Sequence, residues 1–269
     1  MKKLSFAILT LLLLISRQPL WAEELKLGCT NWLPFVDKTL PRQGAVMEIV
    51  STAFQRQGIS STPAIMPWAR VLEMGENGSV IVACVWHTEE RARKFLLSEP
   101  FLVNRVSLLK RKQLNLPWQT MQDLKPYTFA VERKASYGEE FDLAGYLVRH
   151  SVADSKLQVK MVINGHVDMA PISEGSALHY ISQLPLEQRK QLNFAKRSLV
   201  INNLHIMVSR NLPDHQEIIS AFNKGLRSML EDGSYNQILE HYSFERFRYP
   251  PDPLLTDESS RELLEQILK

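Results

Sequence analysis

The chain has 269 residues, with 32 basic and 29 acidic side chains and a formal net charge of +3. Its first 22 residues are typical of a secretory signal peptide, because two lysines precede an apolar run that ends near the small residue Ala22. Cleavage after Ala22 would remove Lys2, Lys3 and Arg17 and leave equal numbers of basic and acidic residues. This balance argues against a basic nucleic-acid-binding protein. The signal peptide leads us to expect export beyond the inner membrane, to the periplasm.

The residues after the signal peptide predict a unit of alternating strands and helices. The strands expected in it are residues 25–29, 61–66 and 80–85. The helix that Gly44 opens has apolar residues at the spacing of an amphipathic helix, and a shorter helix is expected at 68–76. The order β-α-β-α-β indicates parallel strand pairing with right-handed crossovers.

A second unit of similar size follows. The strands expected in it are residues 106–110, 127–131, 158–162 and 167–172. A capping box from Ser136 to Glu139 predicts a helix that continues through Val148, and another helix is expected from Ser173 or Glu174 to Ile181. The C-terminal elements expected are a strand at 205–208, helices after Asp214 and from Ser234, a proline-rich linker at 249–253 and a last helix at 258–268.

The two cysteines, Cys29 and Cys84, lie in the first and third predicted strands of the first unit. A sheet with this strand order places those two strands side by side. Export favours a disulfide, whereas the apolar surroundings also suit two free thiols, so both interpretations stay open.

A short turn after the strand at 80–85 has the composition of an anion site. Thr88 is a predicted helix N-cap, and Arg91 follows in the first helical turn, where the helix dipole disfavours a cation. An arginine beside free backbone N–H groups at the carboxyl end of a strand can bind a small carboxylate. The alternative is a solvent-facing arginine in a charged helix start.

Several segments share their order and spacing with one family. They read GCTNWLPF, HTEERARKFLLSEPF, DLKPYTFAV, GHVDMAPIS and AFNKGLRSMLEDGSYNQILEHY. Together they resemble the bacterial extracellular solute-binding proteins of family 3, the periplasmic amino-acid receptors of ABC transporters. The resemblance extends from about residue 25 to residue 242.

The resemblance implies an α/β fold of the type II periplasmic-binding-protein kind. Such a fold has two lobes, each a mostly parallel sheet flanked by helices, and two crossing segments between them. The implied divisions are a signal peptide at 1–22, the first lobe at 23–103 and 202–248, the second lobe at 104–201, and a C-terminal linker and helix at 249–269. The crossings would lie near residues 102–105 and 201–204.

The resemblance also implies a ligand site between the lobes. Arg91 occupies the position of the arginine that grips the α-carboxylate of an amino acid. The other residues that the resemblance places at the ligand are Trp32, Phe35, Trp86, Thr88, Ser136, Tyr137, Ser173 and Glu174. The family has an acid for the ligand ammonium where this chain has Ser173, followed by Glu174, so an amino-acid ligand is less firmly implied than a carboxylate.

The function implied is capture of a small carboxylate-bearing solute for ABC-type uptake. We expect a monomer without cofactor, metal or nucleic acid, with an inner-membrane permease as the possible partner. Two alternatives stay open. One is an enzyme similar to the cyclohexadienyl dehydratases, with Glu174 or Glu132 as its acid or base. The other is a soluble sensor input protein.

Overall fold

The computed structural model describes residues 24–133 and 135–250. They form an α/β fold in which nine strands join one sheet in the order β2-β1-β3-β9-β5-β8-β6-β7, and β4 pairs with β9. The strands are β1 (Leu25–Cys29), β2 (Ser61–Ile65), β3 (Ile81–Trp86), β4 (Phe95–Leu97), β5 (Leu102–Arg111), β6 (Thr128–Glu132), β7 (Val148–Val152), β8 (Met169–Ser173) and β9 (Leu192–Ser209).

Helices cover the sheet. They are α1 (Ala45–Gln55), α2 (Trp68–Glu76), α3 (Glu89–Lys94), α4 (Glu139–Leu143), α5 (Ser155–Ile163), α6 (Glu174–Ser182), α7 (Leu186–Arg189), α8 (His215–Glu231) and α9 (Ser234–Tyr242). Three short 3-10 helices lie at Pro41–Gln43, Met121–Leu124 and Glu245–Phe247. The predicted signal peptide and the predicted linker and last helix fall on residues outside the described ranges.

The predicted β-α-β-α-β order of the first unit is confirmed. β1 pairs in parallel with both β2 and β3, as the crossover helices α1 and α2 require. The apolar residues of α1 are fully buried against the sheet. Gly44 opens this helix with φ of +102°, and a Cβ there would collide with the backbone carbonyl of Phe35, so only glycine fits.

The second unit differs from its predicted elements in two places. The helix expected to run through Val148 ends at Leu143, and β7 follows it. The strand expected at 158–162 is part of α5, whose N-cap Asp154 accepts a hydrogen bond from the Leu157 N–H at 2.8 Å. The cap and the buried residues Val159 and Val162 suit a helix, and a short apolar run alone does not separate helix from strand.

Two long strands join the halves of the sheet at the predicted crossings, and their pairing with each other was not predicted. The neighbouring strands within each half pair in parallel, as predicted, and the pairing of β5 with β9 joins them into one mixed sheet. The segments predicted to cross lie opposite each other, from the pair Leu102 and Leu204 to the pair Arg105 and Ile201. The crossing is therefore a two-stranded antiparallel ribbon.

The buried hydrophobic residues form separate clusters on the two sides of this ribbon. Leu102 and Leu204 belong to a cluster with β1, α1, α8 and α9, whereas Val106 and Ala195 belong to a cluster with β6 and α4. We call these sides the first half (β1 to β4 and residues 204–209) and the second half (β6 to β8 and residues 192–200). The exact lobe boundaries stay a prediction.

A disulfide joins the two cysteines. Cys29 ends β1 and Cys84 lies in β3, the neighbouring parallel strand, so the predicted adjacency is confirmed. Their Cα atoms are 5.7 Å apart, within the range that a disulfide spans. The bond fastens two strands at the edge where they deliver their loops.

Two findings on the described residues concern other classes of protein. No helix within residues 24–133 and 135–250 has the length and apolar composition to cross a membrane. No group of three or more His, Cys, Asp or Glu side chains in those ranges is placed to hold a metal ion.

Candidate functional site

A cleft lies between the two halves at the carboxyl ends of the parallel strands. It has about 850 Å³ of empty space, its open mouth included. Residues at the ends of the parallel strands line it. This edge of the sheet is where open α/β sheets bind ligands. The residues named below as cleft residues are Asn31, Trp32, Leu33, Trp68, Cys84, Trp86, Arg91, Glu132, Ser136, Tyr137, Asp154, Ser155, Ser173, Ser176 and Tyr180.

Arg91 supplies the positive charge of the first-half wall. Thr88 caps α3 as predicted, with its Oγ1 accepting from the Arg91 N–H at 3.2 Å. The Arg91 Nη1 donates to the Trp86 carbonyl at 2.9 Å, and its guanidinium carbon lies 5.5 Å from the centre of the Trp68 ring. Burial lowers the pKa of Arg91, and a guanidinium stays charged in any case. One donor is held by Trp86, so other N–H groups can meet a carboxylate.

Three tryptophans form the apolar part of the same wall. Trp32 and Trp86 pack edge to face with their ring centres 5.7 Å apart, and Trp68 lies beside Arg91. Trp68 was not predicted as a site residue. It is the first residue of α2, which begins shortly after β2 ends. The amphipathic pattern of this helix accounted for Trp68 without a ligand site.

Phe35 does not line the cleft, contrary to the prediction that it flanks the ligand. Its side chain is 1% exposed and stacks behind Trp32 with ring centres 4.2 Å apart. Phe244 and Phe247 pack against its other sides at 5.0 and 4.8 Å. Phe35 is therefore a core residue that supports Trp32.

The second-half wall carries negative charge. In the sequence analysis Glu132 was named only as a possible acid or base of an enzyme. Glu132 ends β6, and Asp154 and Ser155 lie at the start of α5 after β7. The Ser155 Oγ donates to the Glu132 Oε2 at 3.4 Å, and Tyr180 of α6 completes this part of the wall. The two carboxylates lie in the same cleft as Arg91, so the cleft holds opposite charges on its two walls.

The surroundings of Glu132 change its acidity. Burial, followed by the nearby charge of Asp154, raises the pKa of Glu132 to about 7, although the hydrogen bond from Ser155 opposes the shift. A carboxyl with a raised pKa stabilises the folded state while protonated, and this contribution is lost as the pH rises through the folded-state pKa. The ligand-free protein therefore carries an unfavourable charge in its cleft above pH 7.

Glu132→Gln should remove this pH dependence. We expect the variant to gain about 1–3 kcal/mol in free energy of unfolding relative to the wild type as the pH rises from 5 to 8.5, with most of the change complete by pH 7. Urea unfolding of the ligand-free proteins at a series of pH values measures it. Glu140→Gln, an exposed change of the same kind on α4, is the control. Parallel curves for the wild type and Glu132→Gln would contradict the burial of this charge.

Ser136 and Tyr137 line the cleft, but the predicted capping box is wrong. The N-cap of α4 is Gly138, and the Ser136 Oγ donates to the Asp142 Oδ2 at 2.5 Å. The Tyr137 OH accepts hydrogen bonds from the Glu132 N–H at 2.7 Å and from the Gln158 Nε2 at 3.3 Å. Burial raises the pKa of Tyr137 above its usual range, so this hydroxyl remains protonated.

Ser173 and Glu174 have different places in the structure. Ser173 lines the cleft, and its Oγ donates to the Asn104 Oδ1 at 2.6 Å. Glu174 is 1% exposed and lies outside the cleft lining, with its carboxylate bonded to Ser107 and Arg246. The predictions that Glu174 contacts a ligand or serves as a cleft acid are therefore corrected.

Sequence reasoning also missed Asp154, Ser155 and Tyr180. Asp154 precedes a segment that was interpreted as a strand, and an N-cap acid has no meaning before a strand. The Asp-Ser pair before an apolar run was the available signal for the helix start. Tyr180 reaches the cleft through the packing of α6 against α5, β5 and β8, which no local pattern reports.

Comparisons with known proteins bear on the family and on the fold. The family model described as bacterial extracellular solute-binding proteins, family 3, matches residues 28–245. A search of curated protein sequences gave no match.

Solved structures share the fold at low sequence identity. A histidine kinase sensor domain with similarity to periplasmic binding proteins is 16% identical, with a TM-score of 0.71 over 82% of this chain and 96% of that one. The GluR0 ligand-binding core from Nostoc punctiforme, in complex with L-glutamate, is 16% identical, with a TM-score of 0.68 over 82% of this chain and 99% of that one. The amino acid ABC transporter substrate-binding protein AbpA from Streptococcus pneumoniae, bound to L-arginine, is 17% identical, with a TM-score of 0.64 over 81% of this chain and 94% of that one.

Proposed function

We propose that this chain, which belongs to the bacterial extracellular solute-binding proteins of family 3, captures a small dipolar solute in the cleft between its halves. The observation that carries the proposal is the pair of opposite charges across the cleft, Arg91 on one wall and Glu132 with Asp154 on the other. An amino acid or a related compound has the matching carboxylate and ammonium groups.

The carboxylate end of the solute is assigned to Arg91. A guanidinium offers parallel N–H donors to a carboxylate, and the Trp86 carbonyl together with the Trp68 ring holds it in one orientation. Pre-orientation reduces the side-chain entropy that binding would otherwise cost. Trp32 and Trp86 then provide apolar surface for the solute's carbon skeleton.

The cationic end of the solute is assigned to Glu132 and Asp154. These carboxylates replace the acid that the family pattern has at the position of Ser173, which here is bonded to Asn104. A bound cation would favour the ionised form of Glu132 and relieve the repulsion between the two carboxylates. Binding of a cationic solute is therefore expected to be stronger above pH 7 than at pH 5.

The cellular role that we propose is periplasmic uptake. Closure of the two halves around the solute would bury it and give an ABC permease a distinct form to recognise. Among the structural relatives, AbpA is a substrate-binding protein of an amino acid ABC transporter, and the sensor domain belongs to a histidine kinase. Capture of a solute in the cleft would serve either role in this chain.

An enzyme on the same fold is the second candidate function, and Glu132 is the observation that favours it. A carboxyl whose pKa is about 7 can donate or accept a proton near neutral pH. Such an enzyme would consume its substrate, whereas a binding protein returns it unchanged. Incubation with each ligand that binds, followed by mass spectrometry of the solution, separates the two.

A thermal-shift screen with the twenty L-amino acids and small dicarboxylates tests the proposal. A solute that binds only the folded protein raises Tm, by the equivalent of about 2.7 kcal/mol at a concentration 100 times its Kd. We expect a shift with a solute that carries both charges and a smaller shift, or none, with acetate or ethylamine. If acetate and ethylamine each raised Tm as much as the solute that carries both charges, the dipolar assignment would be contradicted.

A further inference from the structure

The start of α6 holds the second half of the fold against the first. Three consecutive residues, Glu174, Gly175 and Ser176, contact the loop after β1, the strand β5 and the C-terminal 3-10 helix between them. We call these three residues the α6 pivot. Glu174 and Ser176 have buried polar side chains. The sequence analysis gave neither of them a role in holding the halves together.

Glu174 binds the C-terminal segment to β5. The Ser107 Oγ donates to its Oε1 at 2.6 Å, and the Arg246 Nη2 donates to its Oε2 at 3.3 Å. The Arg105 Nε lies 4.0 Å from the same Oε2. A buried carboxylate with these partners is costly to separate from them, so this contact should persist when the halves move.

Gly175 lies against the aromatic group behind the cleft wall. A Cβ at this position would lie 2.6 Å from the Phe35 Cζ and 3.2 Å from the Phe247 Cζ. Both distances are too short for an unshifted methyl group. Because Phe35 stacks on Trp32, a displacement of Phe35 at the pivot would be passed directly to a cleft residue.

Ser176 connects the pivot to the cleft itself. Its fully buried Oγ donates to the Leu33 carbonyl at 2.8 Å, across from α6 to the loop that follows β1. Both residues line the cleft. Val106 and Ser173, which pair where β5 meets β8, place the pivot beside the crossing ribbon.

We propose that the α6 pivot is a positioning element for solute capture: the halves close about it, and through Phe35 it holds Trp32 in the cleft wall. The proposal rests on the proposed function, because it concerns closure around a solute. A contact at the cleft mouth would break on opening, whereas the pivot is buried beside the ribbon and can remain intact. Closure then brings Arg91 of the first-half wall and Glu132 of the second-half wall into a fixed position relative to each other.

Gly175→Ala tests the pivot by adding one methyl group. We expect circular dichroism like that of the wild type, a larger radius of gyration by small-angle X-ray scattering, and at least tenfold weaker binding by calorimetry. The probe is the L-amino acid, among the twenty, that raises the wild-type Tm most. Gly145→Ala is the matched control on the same half, because no atom lies within 4 Å of its added Cβ.

Phe35→Leu provides a rescue that a general loss of stability would not show. Leucine lacks the two ring atoms that lie closest to the added methyl group. We expect Gly175→Ala to weaken binding far less in the Phe35→Leu background than in the wild type. Additive losses in the double variant would overturn the steric link between α6 and the cleft wall.

Two further variants keep the test decisive if Gly175→Ala does not fold. Ser176→Ala removes one hydrogen bond and Glu174→Gln removes one charge, and each should weaken binding several-fold. Wild-type Kd and radius of gyration in the folded variants would overturn the pivot while leaving the proposed function intact. If the wild type binds none of the amino acids, the proposed function fails, and the scattering of the ligand-free variants still decides the pivot.

Discussion

Arg91→Ala is expected to weaken solute binding by about 30-fold or more. Loss of one partner from a buried, hydrogen-bonded charge pair costs about 2–5 kcal/mol, and 30-fold in Kd corresponds to about 2 kcal/mol. Arg91 also donates to Trp86 and lies against Trp68, so alanine leaves the Trp86 carbonyl without this donor. The cost to folding should be about 1 kcal/mol, as for one hydrogen bond.

Calorimetry with the best amino acid from the screen measures this loss. Arg91→Lys should recover part of the affinity, because an ammonium keeps the charge but lacks the planar fork. Arg70→Ala is the matched control, since Arg70 is an exposed arginine on the neighbouring helix α2 and its loss changes the net charge equally. Wild-type affinity in Arg91→Ala, with weaker binding in Arg70→Ala, would remove Arg91 from the site.

The first half of the fold could be predicted from the sequence because its signals are local. The apolar spacing of α1, the apolar run of β3 and the Thr88 cap each depend on a few neighbouring residues, and the structure has them where expected. The turn that presents Arg91 follows from the same kind of signal. A resemblance to one family then added the cleft, which local patterns alone do not predict.

The second half was predicted less well because its segments are short and its strand pairs are distant in sequence. α5 was interpreted as a strand, and the 18 residues of β9 were reduced to their apolar end. Residues 196–203 of β9 are exposed or half-buried as the strand passes from one half to the other, so it lacks a continuous buried, apolar run. Its pairing partner, β5, lies about ninety residues earlier in the chain.

The site residues show the same division. Trp32 and Trp86 reach the cleft from the ends of strands that were predicted correctly. Phe35 lies only three residues from Trp32 but points into the core, because Phe244 and Phe247 from the C-terminal segment enclose it. The neighbouring residues Ser173 and Glu174 likewise face different surroundings at the start of α6. Such choices depend on partners that are far away in sequence.

Removal of the disulfide between Cys29 and Cys84 has the second large expected effect. The bond closes a loop with a sequence separation of 55 residues, and cross-links of this size stabilise a protein by roughly 2–4 kcal/mol. For a chain of this length we expect reduction by a phosphine to lower Tm by roughly 5–15 °C. Thermal unfolding with and without the reductant measures the shift.

Reduction should also weaken solute binding, because the bond lies under the cleft. Cys84 lines the cleft, Asn31 and Trp32 follow Cys29, and Trp86 follows Cys84 by two residues. The bond therefore fixes the two loops that carry the aromatic wall relative to each other. The double variant Cys29→Ala/Cys84→Ala is the control, since its Tm and Kd should not respond to the reductant. An unchanged wild-type Tm on reduction, with two free thiols titrated in the unfolded and unreduced protein, would show that the two cysteines only pack together.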